Sequence, residues 1–166
     1  MKLTDIAPLD DWKKLEDMMF NKYGLEVNVF NIKGIRITDN KRWVNRLCPA
    51  IKATDKGQSF ICAVAHMNIS NMAKNQGEPV VEECDAGLAK IVVPIFKNDE
   101  FVGAVGACGH LLDDGEVDSF MIEKTTGIDQ GQIEALGSDI RSISSVDAEN
   151  LARDVIEAVS ELIRRQ

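Results

Sequence analysis

The residues of this chain with the most distinctive chemistry are its four cysteines. The segment from Cys84 to Leu88 places a thiol, a carboxylate (Asp85) and a glycine (Gly87) in one short turn, directly before a long apolar strand. A turn of this composition beside a core strand is more typical of a ligand pocket than of a purely structural element. We therefore expect a binding site around this turn.

The two histidines lie at metal-compatible spacings from cysteines. Cys62 and His66 are four residues apart on a predicted helix, and Cys108 and His110 are two apart on a predicted strand, so each pair shares one face. Thiolates can hold zinc or an iron–sulfur cluster, and a cysteine or histidine can be an axial ligand of haem. The candidate metal ligands are Cys48, Cys62, Cys84, Cys108, His66 and His110.

The metal hypothesis competes with a simpler one. The sequence contains no CxxC pair, which zinc and cluster sites commonly use. Free cysteines are also among the most buried residue types and pack as small apolar groups. The sequence therefore leaves open whether an iron–sulfur cluster, haem, zinc or no metal is bound.

A thiol-dependent enzyme is a further alternative. Cys84 or Cys108 could act as a nucleophile with His66 or His110 as its base, if the fold brought them into contact and a third group oriented the histidine. No local signature supports such a pair, and Asp114, in the most conspicuous acidic pair, is expected to cap a helix. We therefore expect a protein that is not an enzyme.

Composition limits the range of partners. The chain has 166 residues, a net charge of −8 and a pI near 4.8, so we expect one domain over residues 1–166 that does not bind nucleic acid. No stretch approaches the roughly 20 apolar residues of a membrane span, and the N-terminus lacks the pattern of a signal peptide. These features predict a cytoplasmic protein, with its thiols reduced.

The hydrophobic pattern predicts an α+β fold. It indicates a helix over residues 10–23, a strand over 25–32 and a return strand over 35–38. Asn98-Asp99 indicates a hairpin turn. Further helices are predicted over 40–51, 58–75, 114–124, 129–136 and 144–166, and further strands over 79–84, 88–96 and 100–111. We expect an antiparallel sheet of about five strands flanked by helices.

The segment from Leu47 to Leu111 resembles the PocR sensory domain, a PAS-like ligand-binding module of bacterial signalling proteins. The residues that carry the resemblance are Leu47-Cys48-Pro49, Cys62, Gly77-Glu78-Pro79, Cys84-Asp85-Ala86-Gly87-Leu88, Pro94-Ile95 and Val102-Gly103-Ala104-Val105-Gly106. Two positions depart from the family pattern. Asp85 replaces a histidine in the turn, and Cys108 and His110 lie where the family has a Gly-Gln pair.

The resemblance implies a PAS/GAF-like fold and a sensor of small hydrocarbon derivatives, with propanediol-like compounds as the suggested type, and it does not imply an enzyme. We expect the ligand between the sheet and the 58–75 helix, with Tyr23, Asn28, Asn31 and Asp85 as candidate polar groups. The expected ligand-binding residues are Cys84, Asp85, Gly87, Gly106 and Cys108.

The last predicted helix carries an apolar stripe opposite a charged side. The stripe includes Leu151, Val155 and Val159. It could pack on its own domain or pair with a second copy, so a homodimer through the C-terminal helix is a further expectation.

Overall fold

The centre of the fold is a four-stranded antiparallel sheet, seen in a computed structural model that describes all of residues 1–166. The strands lie in the order β1-β4-β3-β2, which confirms the predicted α+β class. Their bounds are Glu26–Asn31 for β1, Val80–Glu83 for β2, Ala89–Lys97 for β3 and Glu100–Cys108 for β4. A separate parallel pair joins β5 (Leu111–Leu112) to β6 (Ser142–Ile143).

Helices cover both faces of the sheet. They are α1 (Leu3–Ile6), α2 (Leu9–Tyr23), α3 (Leu47–Lys52), α4 (Asp55–Gly57), a π-helix (Gln58–Ala63), α5 (Val64–Gln76), α6 (Ser119–Thr126), α7 (Gln130–Gly137) and α8 (Ser145–Arg164). No helix is both long enough and apolar enough to cross a membrane.

Three local predictions were wrong. The return strand over 35–38 is a loop in which only Arg36 bridges Phe30, and the helix predicted from residue 40 begins at Leu47. The helix predicted from Asp114 begins at Ser119 instead, because Asp118 caps it by accepting a hydrogen bond from the Met121 N–H.

One face of the sheet forms the main hydrophobic core. Alternate strand residues such as Val29, Ile91 and Val105 point to this face and are almost completely buried against α1, α2 and α8. Trp12 of α2 is fully buried there, and its indole N–H donates to the Leu3 carbonyl at 3.0 Å. This face accounts for most of the apolar area that the fold removes from water.

The apolar stripe of α8 belongs to this core. Leu151, Val155 and Val159 are buried against the same chain, so the stripe packs on its own domain. The outer side of α8 exposes Val146 and Ile156. A homodimer through α8 would therefore have to use that outer side, and it stays a prediction.

The hairpin between β3 and β4 follows the sequence prediction. Asn98 and Asp99 both adopt positive φ angles, 52° and 63°, as a two-residue hairpin turn of type I′ requires. Pro94 of β3 lies two residues beyond Val92, the last residue paired with β2. Its missing N–H therefore interrupts no bond on that side.

Strand β1 is an edge strand, and a buried carboxylate occupies its free edge. Glu16 of α2 is only 1% exposed, and its carboxylate accepts hydrogen bonds from the Val29 N–H at 2.9 Å and the Thr38 hydroxyl at 2.7 Å. Burial raises the pKa of Glu16, and these hydrogen bonds act in the opposite direction. The carboxylate thus satisfies edge groups that would otherwise be buried without a partner.

We predict that Glu16→Ala lowers the free energy of unfolding by about 1–3 kcal/mol, because it leaves the buried Val29 N–H without an acceptor. Glu16→Gln keeps a side-chain oxygen and should lose less. Urea unfolding of the three proteins at neutral pH measures the difference. Equal stability of Glu16→Ala and the wild type would show that the contact to β1 contributes nothing.

Candidate functional site

Apolar side chains of α5 cover only one part of the second face of the sheet. Near the β3–β4 hairpin, Val92 and Ala104 pack under Ile69 and Ala73 of α5. Towards the other end of β4 the same face becomes polar. The sheet therefore buries one face completely and leaves part of the other free to line a site.

This free part is the floor of a cavity of about 510 Å³. Strand register places Glu26 beside Cys108 and Cys108 beside Lys90, in one row across β1, β4 and β3. Asn28 and Gly106 form the next row. The walls and roof come from the 34–41 loop, α3, the π-helix and the first turn of α5. The volume lies in the usual range of small-molecule sites.

Gly106 keeps the middle of the floor open. A Cβ atom built on it would lie 2.9 Å from a Phe30 ring carbon, 3.2 Å from Lys90 Nζ and 3.5 Å from His66 Nδ1. Its missing side chain thus allows an aromatic ring, an ammonium group and an imidazole to approach one point. This close approach gives one physical reason for a glycine inside β4.

The interior of the cavity holds more positive than negative groups. Glu26 is 3% exposed and pairs with the Arg36 guanidinium at 2.9 Å. Lys90 is 8% exposed, forms no hydrogen bond or salt bridge, and has its Nζ 5.3 Å from the centre of the Phe30 ring. Lys52 also has no salt bridge, and burial, together with the Arg36 charge, lowers its pKa. Buried lysines without a carboxylate partner are uncommon in proteins.

His66 reaches into the cavity from α5. It is 5% exposed, its ring lies 3.8 Å from that of Phe30, and neither ring nitrogen has a hydrogen-bond partner. Burial lowers the pKa of His66 to about 3, and the charges of Lys90, Arg36 and Lys52 act in the same direction. The imidazole is therefore neutral at pH 7 and offers one unused donor and one unused acceptor.

All four cysteines line the same cavity as free thiols. Burial raises the pKa of Cys48 and Cys84, and it raises that of Cys62 to about 11. Asn45 holds Cys48 in place by donating to its sulfur at 3.2 Å and accepting from its N–H at 2.7 Å. No group of three or more His, Cys, Asp or Glu side chains is arranged to hold a metal ion.

The remaining candidates from the sequence lie outside the cavity lining. Asp85 and Gly87 shape the turn before β3, where the φ of Gly87 is +85° and a Cβ would meet the Glu116 carbonyl oxygen at 2.1 Å. His110 lines a separate pocket beside Tyr23. The structure therefore brings together the four cysteines, Gly106 and His66, and leaves Asp85, Gly87 and His110 apart from them.

Two of the suggested polar groups bind within the protein. The Tyr23 hydroxyl donates to Asp154 of α8 at 2.5 Å. The Asn31 side chain accepts hydrogen bonds from the N–H groups of Lys33 and Ile35 and so forms the turn after β1. Asn28 alone of these lines the cavity, and its amide donates to the Asn40 carbonyl at 3.0 Å.

Sequence reasoning missed the charged groups of the site. Lys90 precedes the apolar run Ile91-Val92-Val93 in a strand that is buried on both faces. A charged residue in such a strand signals a special environment, and this clue was present in the sequence. Glu26 gave the same clue in β1. Arg36 enters the site from the loop that was wrongly predicted as a return strand, and Lys52 ends a helix that was predicted to stop one residue earlier.

A family model described as the sensory domain found in PocR matches residues 5–165 of the chain. No curated protein and no solved structure matches this chain significantly. The match covers nearly the whole chain, so it includes the end of α1, all of α2 and α8, and the cavity-lining segments.

We predict that His66 makes the fold sensitive to mild acid. Its folded pKa of about 3 lies below the ordinary value of 6.5, so between these pH values the unfolded chain binds the extra proton. Stability from this group is fully present above pH 6.5 and falls as the pH is lowered towards 3. From pH 7 to pH 5 the loss from this one group should be roughly 2 kcal/mol.

His66→Gln removes the titrating group and should lose correspondingly less stability between pH 7 and pH 5. Denaturant unfolding of both proteins at the two pH values measures the difference, and pH effects of other groups cancel in it. An unchanged pH dependence in His66→Gln would mean that the imidazole of the folded protein takes up its proton normally.

Proposed function

The chain belongs to the PocR sensory domain family, and we propose that it senses a small hydrocarbon derivative that binds in the cavity between the sheet and the α3–α5 layer. The observation that carries the proposal is the cavity itself, in which the buried His66 imidazole and the Lys90 ammonium have no partner within the protein. Unpaired polar groups of this kind are expensive unless a ligand or water satisfies them.

The composition of the lining also supports a small organic ligand. Phe30, Leu88 and the thiols of Cys62 and Cys84 offer apolar contact, and charged, amide and hydroxyl side chains occupy the rest of the lining. Binding sites for small molecules combine such apolar walls with a small number of orienting groups. In this proposal residues 1–166 act as one sensory domain, and the apolar part of the ligand provides most of the binding energy.

The thiols support binding rather than catalysis. Because their pKa values are raised, Cys48, Cys62 and Cys84 are protonated at neutral pH, and the thiolate is the form that attacks. His66 forms no hydrogen bond with any thiol, so it is not placed as their base. Four reduced cysteines also favour a cytoplasmic location for the sensor, which we include in the proposal.

The route from the cavity to a response can run through the strands. Lys90 faces the cavity, and the next residue, Ile91, faces the core that holds α8. A ligand that shifts Lys90 therefore acts on the strand that α8 packs against. The π-helix is a second segment through which a ligand can act. Gln58, Cys62 and Ala63 of this irregular helix all line the cavity.

A metal- or cluster-binding sensor is the second candidate, and the observation that favours it is that all four thiols line one cavity. Binding would require the thiols to lose their protons and to move closer together. The absorption spectrum and elemental analysis of anaerobically purified protein separate the two candidates. An iron–sulfur or haem band, or stoichiometric zinc, favours the second, and a colourless metal-free protein contradicts it.

We predict that compounds from a panel of small alcohols, diols, ketones and carboxylates raise the melting temperature of the wild type by binding its folded state. Gly106→Ala should reduce the effect at least about tenfold in concentration, because its methyl group occupies the point where Phe30, Lys90 and His66 meet. Ala63→Phe, at an exposed position of the roof, should block the cavity from the other side.

Gly131→Ala is the matched control for these variants. Gly131 lies in the exposed helix α7, outside the cavity lining, with an ordinary backbone conformation. The control should respond like the wild type. If Gly106→Ala and Ala63→Phe respond like the wild type to every active compound, or if no compound is active, the cavity is not the sensory site.

A further inference from the structure

We propose that the ligand is an anion, a small aliphatic carboxylate. Its charged end binds Lys90, and its hydrocarbon end packs against the cysteines and Leu88 of the cavity wall. This inference rests on the proposed function and adds the chemical class of the ligand. It is carried by the charges inside the cavity and by the absence of a partner for two of them.

The charge of the cavity is opposite to that of the whole protein. The chain has a net charge of −8, yet the cavity lining holds the buried Lys90, the half-buried Arg36 and Lys52 and the exposed Lys41 against the buried carboxylate of Glu26. Asp39 also lines the cavity, but its side chain is 87% exposed and binds Lys13 at 2.8 Å. The buried ammonium of Lys90 and the half-buried one of Lys52 therefore lack a counter-ion, and a bound anion would provide one.

The geometry around Gly106 indicates where the anion binds. Lys90 Nζ and His66 Nδ1 both lie within 3.5 Å of the position that a Cβ on Gly106 would occupy. Both nitrogens thus border the same small space above the backbone of Gly106. A carboxylate in that space can accept from the ammonium, and the neutral imidazole can donate through whichever ring nitrogen carries its proton. The Phe30 ring borders the same point and excludes water from one side.

A carboxylate fits this site better than a phosphate. Phosphate sites commonly use the free N–H groups of a helix N-terminus. Here the helical roof is continuous from Asp55 to Gln76, and its first turn is capped by the Thr54 hydroxyl. Nearer the floor, the Cys48 N–H is already bonded to Asn45. The anion is therefore bound by side chains, two of them lysines, beside an apolar wall of cysteines and Leu88.

Isothermal titration calorimetry tests the inference with sodium acetate, propionate and butyrate, and with propionamide, 1,2-propanediol and inorganic phosphate at equal ionic strength. We expect propionate to bind at least about tenfold more tightly than propionamide, which matches its shape without the charge. Lys90→Met should weaken propionate binding at least about tenfold and leave propionamide unchanged. Lys52→Met, at the roof, should weaken it in the same direction and serves if Lys90→Met folds poorly.

Lys97→Met is the matched control. Lys97 lies on the same strand as Lys90, but outside the cavity, where its ammonium binds Gln166 at 2.8 Å. This variant should bind propionate like the wild type. The inference is overturned if Lys90→Met and Lys52→Met both keep wild-type propionate affinity, or if phosphate binds and no carboxylate does.

The same data distinguish this inference from the function on which it rests. Binding of 1,2-propanediol or propionamide as tight as that of propionate would leave the cavity as a sensory site and overturn the anionic ligand. If none of these six probes binds, the anionic ligand is rejected. The wider panel with Gly106→Ala and Ala63→Phe then decides whether the cavity senses anything.

Discussion

The structure depends on the strand register that keeps two incompatible sets of residues on opposite faces of one sheet. Val27, Ile91 and Ala107 are neighbours on the face that packs against α2 and α8, and Glu26, Lys90 and Cys108 are neighbours on the other face. A slip of β1 or of β3 by one residue would exchange the faces of that strand and place Glu26 or Lys90 in the hydrocarbon core. Burial of an unpaired charge costs several kcal/mol, so the core also fixes the polar row.

The polar row is only partly balanced within the chain. Arg36 from the loop after β1 neutralises Glu26, but the loop has no carboxylate placed to neutralise Lys90. The same loop folds back over the edge strand through Thr38, whose hydroxyl binds the buried Glu16. One segment therefore protects the edge of the sheet and forms a wall of the cavity. This connection explains why edge protection, cavity shape and cavity charge cannot vary independently.

The regular elements were predictable because their periodicity depends on burial. The α2 helix, strands β1 and β3, the Asn98-Asp99 turn and the α8 stripe all follow patterns that one buried face imposes. The loop over 32–46 was mispredicted as a return strand and the start of a helix, and the π-helix was predicted as part of a regular helix, because tertiary contacts with α2, β1 and the cavity determine these segments. The start of α6 was placed too early because Asp114 and Asp118 are both acceptable caps and packing selects Asp118.

Of the residues that line the candidate site, the sequence predicted one glycine and the four cysteines. Gly106 and the four cysteines were identified by composition and by their resemblance to a family pattern, and all five line the cavity. Lys90 and Lys52 were not identified, because a lysine is ordinarily exposed and its burial follows from neighbours distant in sequence. These neighbours also determine the chemistry. Burial raises the pKa values of the Cys48, Cys62 and Cys84 thiols and lowers that of His66, and the two lysines have no carboxylate partner. In the function that we propose, these protonation states support reversible binding of a hydrogen-bond acceptor, because Lys90 and His66 offer donors and a raised pKa keeps Cys48, Cys62 and Cys84 from acting as nucleophiles.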